Sequence, residues 1–228
     1  MNNKKRILVI NPNSSKKMTA DIAHTLEKLK IENLIYELIS CKDSPEFLES
    51  FKDYVDASFN VVKLLEKTPN KDFDGYLLAC MGDPGIYALK EIVKAPIIGI
   101  AEAAISTSLL LGFKFSILAA SKKAKYMMES MVLKYGLNER LASVEYINSN
   151  IEGIMKSEEF LIDSLKTGAK KAQLKGAEVL ILGCAAMTAL PNDLVTEIPI
   201  LDPIKNGVFL LESIINNELN ISKAGLYM

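Results

Sequence analysis

The sequence predicts an α/β protein: two pseudo-symmetric open parallel-sheet domains, with the active site expected in the cleft between them. Three observations carry this expectation. Short runs of aliphatic and β-branched residues alternate with stretches whose apolar residues recur at helical spacing, the pattern of βαβ units and buried parallel sheets. The order strand, helix, strand, helix, strand ending in cysteine, helix, strand occurs twice. The two cysteines concerned, Cys80 and Cys184, stand 104 residues apart, and the leading strands of the two halves are spaced similarly.

Arg6 to Ile10 reads as a buried strand that breaks at Asn11-Pro-Asn-Ser-Ser15, where Ser14 or Ser15 can N-cap a helix running to about Leu29. A second strand, Leu34 to Ile39, leads into a polar loop. Phe47 to Glu66 follows as a helix, its inward face expected at Phe51, Val55, Phe59, Val62 and Leu65. Thr68-Pro69-Asn70 ends it. The third strand runs to Cys80, and Asp83-Pro84 reads as an N-cap acid with Pro at the first helical position, opening a helix to about Val93. Pro96 to Ile100 is the fourth strand, and Ala103 to Leu111 an apolar helix.

The second half repeats the scheme. Lys114 to Leu118 is a strand, Ser121 opens a helix from Lys122 to Tyr135, and Gly136 closes it. Val144 to Ile147 is a strand and Glu158 to Gln173 a helix ending near Gly176. The strand to Cys184 precedes a short helix from about Met187 to Leu194, and Ile198 to Leu201 is the last strand. Asp202-Pro203 starts the final helix, to about Asn216. The first domain is expected at 1–97 plus 203–228, the final helix returning to it, and the second at 98–202. Parallel neighbours joined this way need right-handed crossovers.

Composition narrows the function. Hydrophobic residues make up 49% of 228 residues, enough for one or two cores, and no apolar run is long enough to span a membrane. Lys and Arg total 27 against 28 Asp and Glu, so charge offers no reason for a nucleic acid or an anionic membrane as partner. The apolar stretch behind the basic N-terminus is only Ile7 to Ile10, too short for a signal-peptide core, and a cytoplasmic location is expected. Cys41, Cys80 and Cys184 show no CxxC spacing, which argues against a disulfide framework and a zinc site. No nucleotide-binding or metalloprotease motif is present, and neither a metal nor another cofactor is expected.

In open α/β sheets, ligands sit at the carboxyl ends of strands. Two thiols delivered there by two similar units suggest a pair of acid/base groups acting on one small molecule. A single buried thiol usually behaves as a small hydrophobe; it is the matched placement that singles out Cys80 and Cys184. Cys41 lacks it and is expected to be inert. His24 falls inside the first helix, away from either strand end, and suits a surface or half-buried role. Glu102 fits a ligand-orienting group and a helix first turn equally. Asp83 and Asp202 read as helix caps, Lys122, Lys123 and Lys125 as a solvated helix face, and Met127, Met128 and Met131 as core filling.

Asn11-Pro-Asn-Ser-Ser15 with Met18-Thr19, Cys80-Met-Gly-Asp-Pro-Gly85, Ile98-Gly-Ile-Ala-Glu102-Ala-Ala and Leu182-Gly-Cys184-Ala-Ala-Met187 together resemble the hydantoin and allantoin racemases of the cofactor-independent aspartate/glutamate racemase superfamily. The resemblance covers essentially the whole chain. It implies a two-base racemase or epimerase whose catalytic thiols are Cys80 and Cys184, and a homo-oligomer as the assembly. The superfamily's amino-acid racemases usually carry Cys-Asn-Thr and Cys-Thr-His at the two thiols, where this chain has Met81-Gly82 and Ala185-Ala186. Asn11 replaces an acidic residue common in glutamate racemases. These departures favour a neutral or weakly acidic ring such as a 5-substituted hydantoin or allantoin. Ala119-Ala120 stands where many hydantoin racemases carry paired threonines, so two hydrogen-bond donors of those relatives are missing.

Racemisation removes a proton from one face of a carbon and delivers one to the other, which two opposed groups do directly. The resulting enolate needs donors where its charge appears. Backbone amides at Met81-Gly82 and Ala185-Ala186 can serve, with the side chains of Asn11, Ser14 and Ser15 as additions. Rival readings keep the fold but change the reaction: aspartate or glutamate racemisation, maleate isomerisation through covalent attack, or arylmalonate decarboxylation, where one thiol is typically kept. A ligand-closing sensor without catalysis is a further alternative.

Overall fold

The structure is a computed structural model that describes residues 4–29, 31–68, 73–149, 151–155, 157–188 and 196–228. It divides into two compact units, one of residues 1–102 and 204–228, the other of 103–203.

The first unit is built on a parallel sheet of β1 (Lys5–Asn11), β2 (Leu34–Ser40), β3 (Gly75–Leu78) and β4 (Ile97–Gly99), in the order β2-β1-β3-β4. Its helices are α1 (Lys16–Leu29), α2 (Phe51–Lys67), α3 (Ile86–Ile92), the start of α4 (Ile100–Leu111) and nearly all of α8 (Pro203–Asn216). Side chains alternate along the strands, and both faces are covered. Leu8, Ile10 and Leu78 pack with Val61 of α2, Ile86 and Leu89 of α3, and Val93 just after α3, in one buried cluster. On the other face Leu77 meets α8 so closely that a Cβ on Gly207 would lie 2.8 Å from it. Burial on both faces is why these strands read as continuous apolar runs.

The second unit repeats the topology. Its sheet is β6-β5-β7-β8, from β5 (Phe115–Ala119), β6 (Leu141–Tyr146), β7 (Val179–Leu182) and β8 (Ile200–Leu201). The remainder of α4, α5 (Lys122–Lys134), the short α6 (Ile151–Ile154) and α7 (Glu158–Leu174) complete it. The repetition extends to single hydrogen bonds. Ala79 donates its amide to Ile10 at the end of β1, and Gly183 donates to Leu118 at the end of β5, both at 2.9 Å. Cys41 to Asn11 and Ile147 to Ala119 form a second matched pair, both at 3.0 Å.

Several expectations are corrected. Helix α2 begins at Phe51, because the Ser50 side chain caps it by accepting from the Asp53 amide. Its inward face is Ala57 and Val61, with Val62 and Leu65 packed beside them as expected, while Phe51, Val55 and Phe59 are 57%, 68% and 58% exposed. The cause is the close approach of α3: a Cβ on Gly85 would stand 3.2 Å from the Ser58 backbone, so only small residues fit that side of α2. Helix α3 starts at Ile86 behind Gly85 in the left-handed region (φ 78°), two residues later than Asp83-Pro84 suggested. The fourth strand stops at Gly99 and α4 begins at once with Ile100, without an intervening loop. Strand β6 starts at Leu141, earlier than expected, and β8 is only two residues long. Ser121 does cap α5, accepting from Ala124, and Gly136 follows that helix at φ 70°. Pro69 and Asn70 lie outside the described residues, as does most of the helix expected at 187–194. Residues 185–187 form one 3-10 turn.

Candidate active site

In a sheet ordered 2-1-3-4, the chain leaves β1 for one side and returns to the other, so the crevice lies beyond the carboxyl ends of the first and third strands. In the first unit those ends carry the Asn11 loop and Cys80. In the second they carry Ala119-Ala120 and Cys184. Each thiol stands two residues past the end of its strand.

The loop after β1 is tied by its own polar side chains. Asn11, fully buried, donates its amide hydrogens to Asn13 Oδ1 and Thr19 Oγ1, both at 2.9 Å, and accepts from the Asn13 amide. Asn13 Oδ1 accepts in turn from the Ser15 amide at 3.0 Å. Ser15 is the residue that caps α1, its Oγ facing the Met18 amide at 3.4 Å. Ser14 is half-buried, its amide donated to Pro45. Asn11 thus holds the loop's shape from beneath, and Ser14 is more open to solvent than either.

Cys80 opens a tight turn in which the Asp83 amide donates to the Cys80 carbonyl at 3.0 Å. Met81 turns its side chain into the core (2% exposed), leaving its backbone to the turn. Gly82 is crowded by Tyr54: a Cβ there would lie 2.4 Å from the Tyr54 hydroxyl oxygen and closer still to the ring. Asp83 is buried with φ 42°, an unusual conformation for a non-glycine residue. Its carboxylate accepts from the amides of Ala101 (3.1 Å) and Glu102 (2.8 Å). Asp83 is therefore a cap, as the sequence suggested, but of α4 and not of α3.

In the second unit Cys184 precedes the 3-10 turn Ala185–Met187, and its Sγ accepts from the Ala186 amide at 3.4 Å. A backbone N–H turned to sulfur is the contact that stabilises negative charge there. Ala185 is buried and Ala186 half-buried. Gly183 is fixed by crowding, since a Cβ would stand 2.5 Å from the Leu118 carbonyl oxygen. Ala119, the last residue of β5, and Ala120 after it are buried.

None of the three cysteines is in a disulfide. Cys41 is 3% exposed, and burial pushes its thiol up to about 12, with the charge of Asp43 adding and a hydrogen bond with Ser44 opposing. His24 is exposed on α1. Glu102 belongs to the first turn of α4: it accepts from the Gly99 amide at 3.2 Å and from Lys90 at 2.8 Å. Among the described residues, no group of three or more His, Cys, Asp or Glu side chains is placed to hold a metal ion.

Two four-stranded parallel sheets of like topology are an arrangement that known proteins share. The family model for Asp/Glu/Hydantoin racemase matches residues 7–211. The chain belongs to that family. It is accordingly an isomerase, a racemase. Within the family it is 33% identical to a hydantoin racemase of Paenarthrobacter aurescens, over 97% of this chain and 96% of that one. An allantoin racemase from Klebsiella pneumoniae has the same fold with a TM-score of 0.91 at 25% identity, covering 99% of this chain and 94% of that one. Arylmalonate decarboxylase shares the fold more distantly, at a TM-score of 0.70 and 12% identity over 93% of each chain. No described helix is long and apolar enough to cross a membrane.

Two residues of this racemase's first unit escaped the sequence reading. Tyr54 lies over the Cys80 turn, although it comes from the first turn of α2; the only hint in the sequence was Gly82, a residue with no side chain beside a reactive group. Lys90 pairs with Glu102, and both side chains are less than one-fifth exposed. A lysine on α3 carries no sign of that partner twelve residues on.

Proposed function

We propose that the chain racemises a 5-substituted hydantoin or allantoin, with Cys80 and Cys184 as the two bases. The observation that carries this is the repeated placement: each thiol sits at the same step past the third strand of its own four-stranded sheet. In one direction a thiolate takes the proton from the stereocentre. The C–H bond breaks, and its electron pair passes into the neighbouring carbonyl as an enolate. The second thiol then gives its proton to the opposite face, becoming the thiolate. The reverse reaction exchanges the roles, so the net change is inversion alone. Backbone amides of Met81-Gly82 and Ala185-Ala186 are suited to the enolate oxygen, because the side chains there are absent, small or turned inward. Of the side chains expected to add substrate contacts, Ser14 is the one open enough to do so, while Asn11 and Ser15 are buried and hold the loop that carries it. A ring is favoured over a free amino acid by its relatives' substrates and by the neutral residues that follow each cysteine. The reaction needs no cofactor.

The test is turnover of single enantiomers of 5-benzylhydantoin and allantoin in deuterium oxide, with aspartate and glutamate beside them. Loss of optical rotation should be matched by one deuterium at the stereocentre of the product. Cys80→Ser and Cys184→Ser should each abolish racemisation, while each retains exchange into the enantiomer served by the remaining thiol. Full racemisation by both variants, or inversion without deuterium uptake, would overturn the proposal.

A further inference from the structure

We propose that Asp83 is a positioning residue for Cys80, clamping the Cys80 turn onto the first turn of α4. The inference rests on the reading of Cys80 as a base and says how that base is held. An N-terminal helix cap is ordinarily supplied by the residue just before the helix. Before α4 that residue is Gly99, which has no side chain to offer, and a Cβ added to it would stand 2.1 Å from the Asp83 carboxyl carbon. The cap comes instead from Asp83, whose two oxygens take the amides of Ala101 and Glu102. Glu102 reaches back to the Gly99 amide, completing a capping box whose two halves come from different segments. Lys90 fixes the outer oxygen of Glu102.

The second repeat has no carboxylate at the position equivalent to Asp83. There Asp202 stands directly before α8, and the residue three past the cysteine is Met187. The first repeat draws its cap from the cysteine's own turn. It also places a buried aspartate at φ 42° to do so, the kind of backbone tension that persists where surroundings over-determine it. What the arrangement achieves is rigidity: with Asp83 anchored and its amide on the Cys80 carbonyl, the turn's far end cannot drift. A misplacement of about 1 Å at a reacting group costs about 100-fold in rate.

The test uses the full chain with Asp83→Ala, Asp83→Asn and Gly99→Ala, compared with Cys80→Ser and Cys184→Ser. Circular dichroism identifies variants that keep the fold, and Gly99→Ala and Asp83→Asn serve if Asp83→Ala does not. For 5-benzylhydantoin, kcat should fall about 100-fold in Asp83→Ala and less in Asp83→Asn, which keeps one acceptor, with KM changed far less. Deuterium exchange into recovered substrate should become unequal for the two enantiomers, in the same sense as in Cys80→Ser. Iodoacetamide labelling, read by peptide mapping, should change rate at Cys80 and stay at the parent rate at Cys184. Folded variants with parental kcat and parental Cys80 labelling would overturn the inference, as would equal loss of exchange from both enantiomers. Full activity of Cys80→Ser would instead remove the reading beneath it, and the labelling rates would still report whether Asp83 holds that turn.

Discussion

Replacing Gly82 with alanine probes how closely Tyr54 covers the Cys80 turn. A Cβ on Gly82 lies 2.2 Å from Tyr54 Cε2, 2.3 Å from Cζ and 2.4 Å from Oη. Carbon atoms in contact sit about 3.5 to 4.0 Å apart, so the methyl intrudes on the ring by more than about 1 Å. The ring can swing away and give up its packing, or the turn can shift and carry Cys80 with it. Overpacking of this kind costs about 1–3 kcal/mol. In a chain of this length each kcal/mol moves Tm by about 2–4 °C, so a fall of about 2–12 °C is expected. The cause is isolated by a double-mutant cycle. Tyr54→Ala removes all three clashing atoms, and Gly82→Ala should cost little in that background, a coupling of about 0.5–3 kcal/mol. Tyr54→Phe keeps Cε2 and Cζ and should rescue almost nothing. Thermal unfolding of the four proteins, followed by circular dichroism, measures the cycle. Additive effects, or a Gly82→Ala variant as stable as the parent, would refute the packing argument.

Two further expectations concern parts of the first unit away from the thiol turn. Cys41 has a folded-state pKa raised to about 12, so its contribution to stability is complete below the ordinary thiol range near pH ~8.5 and declines as pH rises toward that raised value. Stability of the parent should therefore fall more steeply than that of Cys41→Ala through this alkaline window, and iodoacetamide should reach Cys41 only on unfolding; equal slopes would contradict it. On α2, Val61→Ala should cost about 2 kcal/mol, because Val61 is fully buried, whereas the same change at Val55, 68% exposed, should stay within about 0.5 kcal/mol. Chemical denaturation distinguishes them, and equal costs would show the inward face of α2 to be wrongly assigned.

The exposed stripe on α2 shows where periodicity reaches its limit. Phe51, Val55 and Phe59 recur every fourth residue, and so do Ala57 and Val61. Spacing identifies a helix but cannot say which of two apolar faces turns inward. That choice was made by α3, whose Gly85 approaches α2 too closely for anything larger than Ser58. The Asp83-Pro84 pair teaches the same lesson. Its residues describe a cap, and a cap is what forms, yet the helix it serves begins seventeen residues later and is brought alongside only by the parallel pairing of β3 with β4.

What the sequence determined by itself was the alternation of buried strands with helices, its twofold repetition, and the delivery of Cys80 and Cys184 to strand ends. Those features are local: backbone preference, side-chain alternation and apolar runs act over a few residues. Tertiary structure alone decided which face each helix buries, that Tyr54 and Gly82 share one space, and that Asp83 caps α4. The physical reason is that these depend on atoms brought within van der Waals or hydrogen-bonding distance by the sheet, from segments whose composition carries no record of one another.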